Sequence, residues 1–235
     1  MENSATCRRC GAIVTGKYCS NCAEPLVAKR ITVSSLLHDM FHFFTHLEKG
    51  FGYTLKQLAL RPGHMEREYV SGYRTRHQKP FSMFFLCATI DALLRYWINL
   101  ALIHYFNIGS EHETAFYHQY FVLTHILLLP FYTLIAWLVF FNAGYNYAEI
   151  GILTLYNMAF FFIIVVAVYF VKFFWHHLDT VYVELPALIL YNAATCVNFF
   201  NRQNRYIVIL KSVLLVTASF VLANYTEDFI VSFVK

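Results

Sequence analysis

Five long stretches with very few charged residues dominate the pattern of hydrophobic and polar positions along the chain. They comprise residues 81–106, 121–141, 152–174, 183–200 and 206–224. A helix needs about 20 mostly apolar residues, at about 1.5 Å per residue, to cross a hydrocarbon core about 30 Å thick. The pattern therefore predicts an all-α integral membrane protein in which residues 81–235 form a bundle of about five crossings.

The fourth stretch, residues 183–200, is compatible with two topologies. It is short, and Glu184 and Pro186 stand at its start. With five crossings, the two termini of the chain lie on opposite sides of the membrane. The alternative is a bundle of four crossings in which the fourth stretch is re-entrant.

The distribution of cations indicates how the bundle is oriented. Only 14% of the residues are charged, against about 25% in soluble domains, so the composition excludes an ordinary soluble protein. Twelve of the 18 Lys and Arg residues precede residue 81. The loop GSEHETAFYHQ after the first stretch has none, whereas NRQNR after the fourth is basic. Because cytoplasmic loops carry an excess of Lys and Arg, we expect a cytoplasmic N-terminus and a periplasmic or external C-terminus.

Four cysteines near the N-terminus have the spacing of a metal site. The run CRRCGAIVTGKYCSNC contains two Cys-x-x-Cys pairs, formed by Cys7, Cys10, Cys19 and Cys22. Four thiolates complete the tetrahedral shell of zinc and leave no open position, which is typical of a structural site. A segment this short cannot bury enough apolar surface to fold alone, and bound metal supplies about 10 kcal/mol or more. We predict a zinc ribbon over residues 1–28 with one zinc per chain; the alternatives are a disulfide pair or redox dithiols.

Residues 29–80 separate this head from the first crossing, and they read as short helices. One helix begins at Ser34 or Ser35 and ends at Gly50; a second, YTLKQLAL, stops at RPG, and a third, HMEREYVSG, stops at Gly72. Pro62 restricts the residue before it, and a glycine after it permits a left-handed turn. Broad apolar coverage with flanking cations is typical of helices that lie on a leaflet of anionic lipid. We call this region the collar; the alternative is a solvated, charged face with no lipid role.

The order of these parts resembles that of a known family. A head with paired Cys-x-x-Cys motifs is followed by THLEKGFGYTLKQLALRPGHMEREYVSGYRTRHQKPF and then by membrane helices. This arrangement is similar to a bacterial family catalogued as domain of unknown function 3667. FNAGYNYAE at 141–149 and LYNAATCVNFFNR at 190–202 also look like internal segments of that family. The resemblance implies a bacterial inner-membrane protein with a zinc-ribbon head, and it implies no activity.

Three histidines in the collar raise the question of a second metal site. His38, His42 and His46 are four residues apart, so they form a slowly drifting stripe on a helix. Di-iron membrane enzymes bring together roughly eight histidines, whereas the predicted membrane divides the histidines of this chain between two sides. We therefore interpret the stripe as interfacial. The candidate interfacial site consists of His42, His46, Arg61, Arg74 and Arg76.

Ionisable residues within the apolar stretches are the remaining candidates for chemistry. Asp91 and Arg95 are four residues apart in the first stretch, which allows an ion pair on one helix face. Each charge alone costs about 3 kcal/mol or more at mid-membrane depth. Together with Glu149 they form a candidate intramembrane polar site, although a purely structural pair fits the pattern as well.

No enzyme signature occurs in the sequence: it has no phosphate-binding glycine loop, no nucleophile elbow and no His-Glu-x-x-His. We therefore predict a non-enzymatic protein whose zinc ribbon docks a cytoplasmic protein and whose bundle anchors or assembles a membrane complex. A channel or transporter, in which homo-oligomers form a path through Asp91, Arg95 and Glu149, is the alternative. A lipid-modifying metalloenzyme that uses the stripe of His38, His42 and His46 comes third. We expect contact with anionic lipid and no binding of nucleic acid.

Overall fold

The computed structural model describes residues 5–7, 10–14, 16–22, 30–36, 50–109, 114–115, 119–175 and 178–233. Residues 33–36 are helical, and a 3-10 turn at Phe141–Ala143 connects two of the long helices. The elements are β1 (Ala5–Thr6), β2 (Ile13–Val14), α1 (Phe51–Leu60), α2 (His64–Ser71), α3 (Pro80–Phe106), α4 (Phe121–Val139), α5 (Tyr147–Phe174), α6 (Val181–Phe199) and α7 (Arg205–Phe233). The collar helices α1 and α2 stop at the predicted RPG and Gly72 turns.

Four helices in the described part of the chain are long and apolar enough to cross a membrane: α3, α4, α5 and the portion Arg205–Ile230 of α7. The predicted class, an all-α membrane bundle, is confirmed. The fourth predicted stretch forms α6, which is not among these four helices. Its length, 19 residues, equals that of α4. Polar residues in α6, namely Glu184, Asn192 and Asn198, lower its hydropathy.

Helix α5 is the centre of the bundle. In its most apolar window 67% of the residues are buried, compared with 22% in α7. Tyr156 and Phe162 of α5 are fully buried, and Phe162 packs against Phe84 of α3 and Phe121 of α4. The outer helix α7 leaves most of its apolar surface to its surroundings, as expected for a helix in lipid.

The collar helices share the core of the bundle. Leu58 of α1 and Met65 and Tyr69 of α2 are buried in the same cluster as Tyr156. The ring of Tyr69 meets that of Tyr156 edge-on, with centroids 5.5 Å apart. One face of α1 and α2 is therefore covered by protein, because their apolar residues fill the space beside α5 and α6.

The cysteine head begins with a short hairpin. β1 and β2 pair antiparallel, with Ala5 opposite Val14 and Thr6 opposite Ile13. Gly11 has φ +72°, which a glycine adopts without strain, and its N–H donates to the carbonyl of Cys7 at 3.0 Å. This turn brings the first cysteine pair back towards the second.

Candidate functional site

The four head cysteines converge on one point. Their sulfur atoms all lie within 4.8 Å of one another. Cys7 Sγ lies 3.6 Å from Cys22 Sγ, and Cys10 Sγ lies 3.5 Å from Cys19 Sγ. A disulfide requires about 2.05 Å between sulfurs, and none of these four cysteines forms one. The arrangement could hold one metal ion, as the spacing predicts.

The local backbone favours the thiolate form of Cys10. A hydrogen bond from the backbone of Ala12 lowers the pKa of the Cys10 thiol, and the neighbouring Cys19 side chain lowers it further. Cys7 and Cys19 are buried and Cys10 is exposed. A lowered thiol pKa favours metal binding, because the deprotonated sulfur is the ligand.

The chain that follows the head is fastened to the N-terminus of α5. Arg30 Nε and Nη2 donate to Glu149 Oε1 and Oε2 at 2.9 and 3.2 Å, and Asn146 Nδ2 donates to the Ile31 carbonyl at 3.0 Å. Asn146 and Glu149 also cap α5: the backbone N–H of each donates to the side chain of the other, at 2.9 and 2.8 Å. We call these contacts the head clamp. Capping boxes of this kind fix a helix start.

The buried ion pair predicted in the first crossing is present in α3. Arg95 Nε donates to Asp91 Oδ1 at 3.1 Å, with side-chain exposures of 8% and 0%. The Arg95 guanidinium carbon lies 4.6 Å from the ring centroid of Tyr169 and 5.3 Å from that of Phe121. Aromatic rings attract a desolvated guanidinium, so the rings and the carboxylate together hold this charge inside the bundle.

Glu149 does not accompany that pair. Arg95 lies level with Tyr169, which is 20 residues beyond Glu149 in α5. At about 1.5 Å per residue this amounts to about 30 Å along the helix. The carboxylates that act electrostatically on Asp91 and Arg95 are instead Glu184 of α6 and Glu227 of α7. The sequence pattern singles out Glu184 only as the start of the fourth stretch and does not single out Glu227. The available signal is that both are acids at the flank of an apolar stretch.

A cavity of about 110 Å³ lies among α4, α5, α6 and α7. Its wall is mostly apolar, and its polar members include His125, Tyr132, Asn157 and Asn192. Neither Asp91 nor Arg95 belongs to this wall. The ion pair and the cavity are therefore separate features.

The turn between α1 and α2 docks closely on α6. Arg67 Nη1 donates to the Asn198 carbonyl at 3.0 Å, and Asn198 Nδ2 donates to the Pro62 carbonyl at 2.9 Å. Gly63 has φ +79°, and a Cβ placed on it would lie 2.2 Å from the Thr195 carbonyl oxygen. Only glycine fits both this backbone conformation and this approach.

A buried carboxyl group stands beside this turn. The N–H of Gly63 donates to Glu66 Oε2 at 2.7 Å, and Glu66 is fully buried. Burial raises the pKa of Glu66 to about 7. The hydrogen bond from Gly63 favours the ionised form and lowers the pKa, but burial is the larger effect. Tyr156 fastens the end of the collar, since its hydroxyl donates to the Gln78 carbonyl at 2.6 Å.

The predicted interfacial residues have different outcomes. His38, His42 and His46 lie outside the described residues, so the stripe stays a prediction. Arg61 Nη2 bonds Glu68 Oε1 at 2.9 Å in an exposed pair. The other two guanidinium groups lie near tyrosine rings of the collar, that of Arg74 5.8 Å from the Tyr69 centroid and that of Arg76 4.8 Å from the Tyr53 centroid.

These features define a multi-pass helical protein of membrane type with a four-cysteine group that could bind a metal. Residues 48–90 match the family described as "Protein of unknown function (DUF3667)". The predicted resemblance is thus confirmed, and the matched part comprises α1, α2 and the beginning of α3. No curated protein and no solved structure matches the chain.

The structure brings the family-like segments together. The matched segment meets residues 190–202 through the contact of Pro62 with Asn198. Residues 141–149 join the same group, since the rings of Tyr145 and Phe199 lie 4.7 Å apart. The most distinctive parts of the sequence therefore build one junction, at the end of the bundle where the collar docks.

Proposed function

We propose that this protein is a membrane-anchored docking scaffold, in which a zinc ribbon recruits a cytoplasmic protein to the bundle. The observation that carries the proposal is the closure of four cysteine sulfurs around one point. Zinc–sulfur bonds of about 2.3 Å in a tetrahedron place the sulfurs about 3.8 Å apart. The Cys10–Cys19 and Cys7–Cys22 sulfur distances, 3.5 and 3.6 Å, are close to this value. A site that uses four protein ligands has no position for a substrate, so its role is structural.

The surface of the ribbon supports docking. Ile13 and Tyr18 are 77% and 66% exposed on a module of about two dozen residues. Large side chains exposed on the surface of a small metal-stabilised fold are suited to form the centre of a protein interface, where tyrosine and aliphatic anchors are common.

The head clamp supports a scaffold in particular. Cys22 and Arg30 are eight residues apart, and an extended chain spans at most about 3.5 Å per residue. The second knuckle therefore stays within about 28 Å of the clamp at the N-terminus of α5. Anything bound to the ribbon is held next to the collar end of the bundle. The proposal places that end at the cytoplasmic face of a bacterial inner membrane.

The test separates metal binding from docking. Full-length protein in native membranes carries a photo-crosslinking residue at position 17, and the cross-linked proteins are compared between wild type and Ile13→Asp/Tyr18→Asp. We expect the double variant to retain one zinc per chain and to lose the cross-linked partner. As a control, Ser20→Asp adds a charge at another exposed position of the ribbon and should retain the partner. The same partner at the same yield in all three would refute docking through this face.

Elemental analysis tests the metal assignment. Wild type should contain about one zinc per chain, and Cys10→Ser should contain far less. Iron, or more than one zinc per chain with the four cysteines intact, would instead favour a metal site on the histidine stripe.

Transport is the second candidate, favoured by the buried pair of Asp91 and Arg95. The carboxylates of Glu184 and Glu227 interact electrostatically with the pair of Asp91 and Arg95. Charged residues inside a membrane often mark pathways. Purified protein in liposomes should show no flux if the scaffold proposal is right. Flux that disappears in Asp91→Ala and in Arg95→Ala would establish transport instead.

A further inference from the structure

A second and larger cavity lies where the collar docks on the bundle. Its volume is about 480 Å³, within the range of small-molecule sites. It is formed by α2, the segment before α5, and the connection from α6 to α7. The residues that matter for its chemistry are Arg67, Tyr145, Arg202 and Gln203. We call it the two-arginine pocket.

The charge of this pocket is positive. Arg67 and Arg202 both line it, and none of the residues in its lining carries a carboxylate. Both guanidinium groups act electrostatically on the Tyr145 hydroxyl, which places them around the same space. Glu149 is an acid that acts on Tyr145, and its charge is neutralised by Arg30 in the head clamp. An anion in the pocket would therefore meet two cations and little opposing charge.

Hydrogen-bonding capacity in the pocket exceeds what the described residues use. Arg67 donates through Nη1 to the Asn198 carbonyl, so its other N–H groups can donate to a ligand. Gln203 Oε1 is buried without a hydrogen-bond partner in the described part of the chain. Guanidinium groups suit the geometry of phosphate, and an amide oxygen accepts from a hydroxyl. A phosphate ester that carries a hydroxyl group satisfies both.

The position of the pocket fits such a ligand. It lies at the loops that join α4 to α5 and α6 to α7, at the ends of apolar helices. Loops at the ends of membrane helices lie at the level of lipid headgroups, where basic pockets bind anionic lipid. The pocket also unites the three family-like segments, since its lining takes residues from each of them.

We propose that the two-arginine pocket binds a phosphate ester that bears a free hydroxyl group. Arg67 and Arg202 hold the phosphate, and Gln203 accepts from the hydroxyl. The ester is either the headgroup of a lipid such as phosphatidylglycerol or a soluble glycerol phosphate, which presents the same chemistry.

The experiment has one arm for each source. Full-length protein is reconstituted in nanodiscs with equal parts of phosphatidylglycerol and phosphatidylcholine, extracted in mild detergent, and examined by native mass spectrometry for bound lipid. In the second arm, glycerol 3-phosphate is titrated against detergent-solubilised protein and thermal stability is followed. Both arms compare wild type with Arg202→Ala, Arg202→Gln and the control Arg205→Ala, which removes a nearby exposed cation outside the lining.

We expect phosphatidylglycerol to be enriched on wild type and the enrichment to fall about ten-fold in both Arg202 variants, the loss expected of a charge-assisted hydrogen bond. Arg205→Ala should change it less than about two-fold. Stabilisation by glycerol 3-phosphate that requires Arg202, without lipid enrichment, would support the proposal with the soluble source. Absence of both effects in wild type, or an equal loss in Arg205→Ala, would overturn the pocket as a specific site.

Discussion

Replacing Gly63 with alanine tests how closely the collar is docked on the bundle. In the structure Gly63 has φ +79°, and an added Cβ would lie 2.2 Å from the Thr195 carbonyl oxygen and 2.7 Å from Asn198 Cβ. Both neighbours are backbone or near-backbone atoms of α6, which cannot rotate away. The alanine must therefore separate the α1–α2 turn from α6 or distort both.

The cost has two parts. A left-handed conformation costs a non-glycine residue about 1–2 kcal/mol, and an overpacked methyl group costs about 1–3 kcal/mol more. An unfolded chain with alanine at this position has less conformational entropy than one with glycine, which offsets about 0.5 kcal/mol of this cost. We expect Gly63→Ala to lower the free energy of unfolding by about 3 kcal/mol, or the melting temperature by about 6–12 °C for a chain of this size.

Two other glycines separate the two contributions. Gly144 also has φ +79°, but nothing lies within 4 Å of an added Cβ, so Gly144→Ala measures backbone strain alone. Gly52 lies inside α1 with open space around it, and Gly52→Ala should be neutral or stabilising by about 0.5–1 kcal/mol. Thermal unfolding in one detergent gives all three values. If Gly63→Ala were no more destabilising than Gly144→Ala, the close approach of the turn to α6 would be disproved.

Three further predictions concern the collar and the head. Burial places the pKa of Glu66 at about 7, above the unfolded value of about 4.3, so the favourable neutral form is lost as pH rises. Wild type should lose roughly 3 kcal/mol between about pH 4.5 and pH 7 and change little above, while Glu66→Gln should be flat in that window; equal pH profiles would contradict the burial of this carboxyl. Tyr156→Phe leaves the buried Gln78 carbonyl without its 2.6 Å donor and should cost about 1–3 kcal/mol in thermal unfolding, whereas a cost below about 0.5 kcal/mol would mean that this bond contributes nothing. A chelator should unfold the head and leave far-UV circular dichroism of the helices nearly unchanged; a large loss of helicity would show that the bundle depends on the metal.

Local chemistry made the collar boundaries predictable. Pro62 and Gly63 end α1, and Gly72, with φ +117°, ends α2 in the left-handed conformation that glycine adopts easily. The cysteine cluster was predictable for a similar reason, because the spacing of the two pairs is itself the signal. Features that depend on a few neighbouring residues can be read from one sequence.

Features that join distant residues could not be read in this way. The bond between Tyr156 and Gln78 links positions 78 residues apart, and that between Asn198 and Pro62 links positions 136 apart. Hydrophobic periodicity reports which residues are apolar, not which helix they face. The collar was therefore predicted to lie on lipid, although one of its faces is covered by α5 and α6.

The sequence carries a local signal for the role of Glu149. As a lone acid next to an apolar stretch, Glu149 is grouped with Asp91 and Arg95 in the predicted polar site. The pattern Asn146-x-x-Glu149 directly before an apolar run is a capping-box signature and predicts a helix start. The structure has this cap, and the same carboxylate also receives Arg30.

The head clamp also constrains the order in which the chain is assembled during synthesis. Arg30 and Ile31 leave the ribosome long before Asn146 and Glu149, which lie more than 110 residues later. The four-cysteine group uses only residues of the head, so a metal could bind to it while α3 and α4 are still being inserted. Its attachment can close only after the start of α5 has emerged, and a completed clamp therefore marks a nascent chain whose first two membrane helices are already in place.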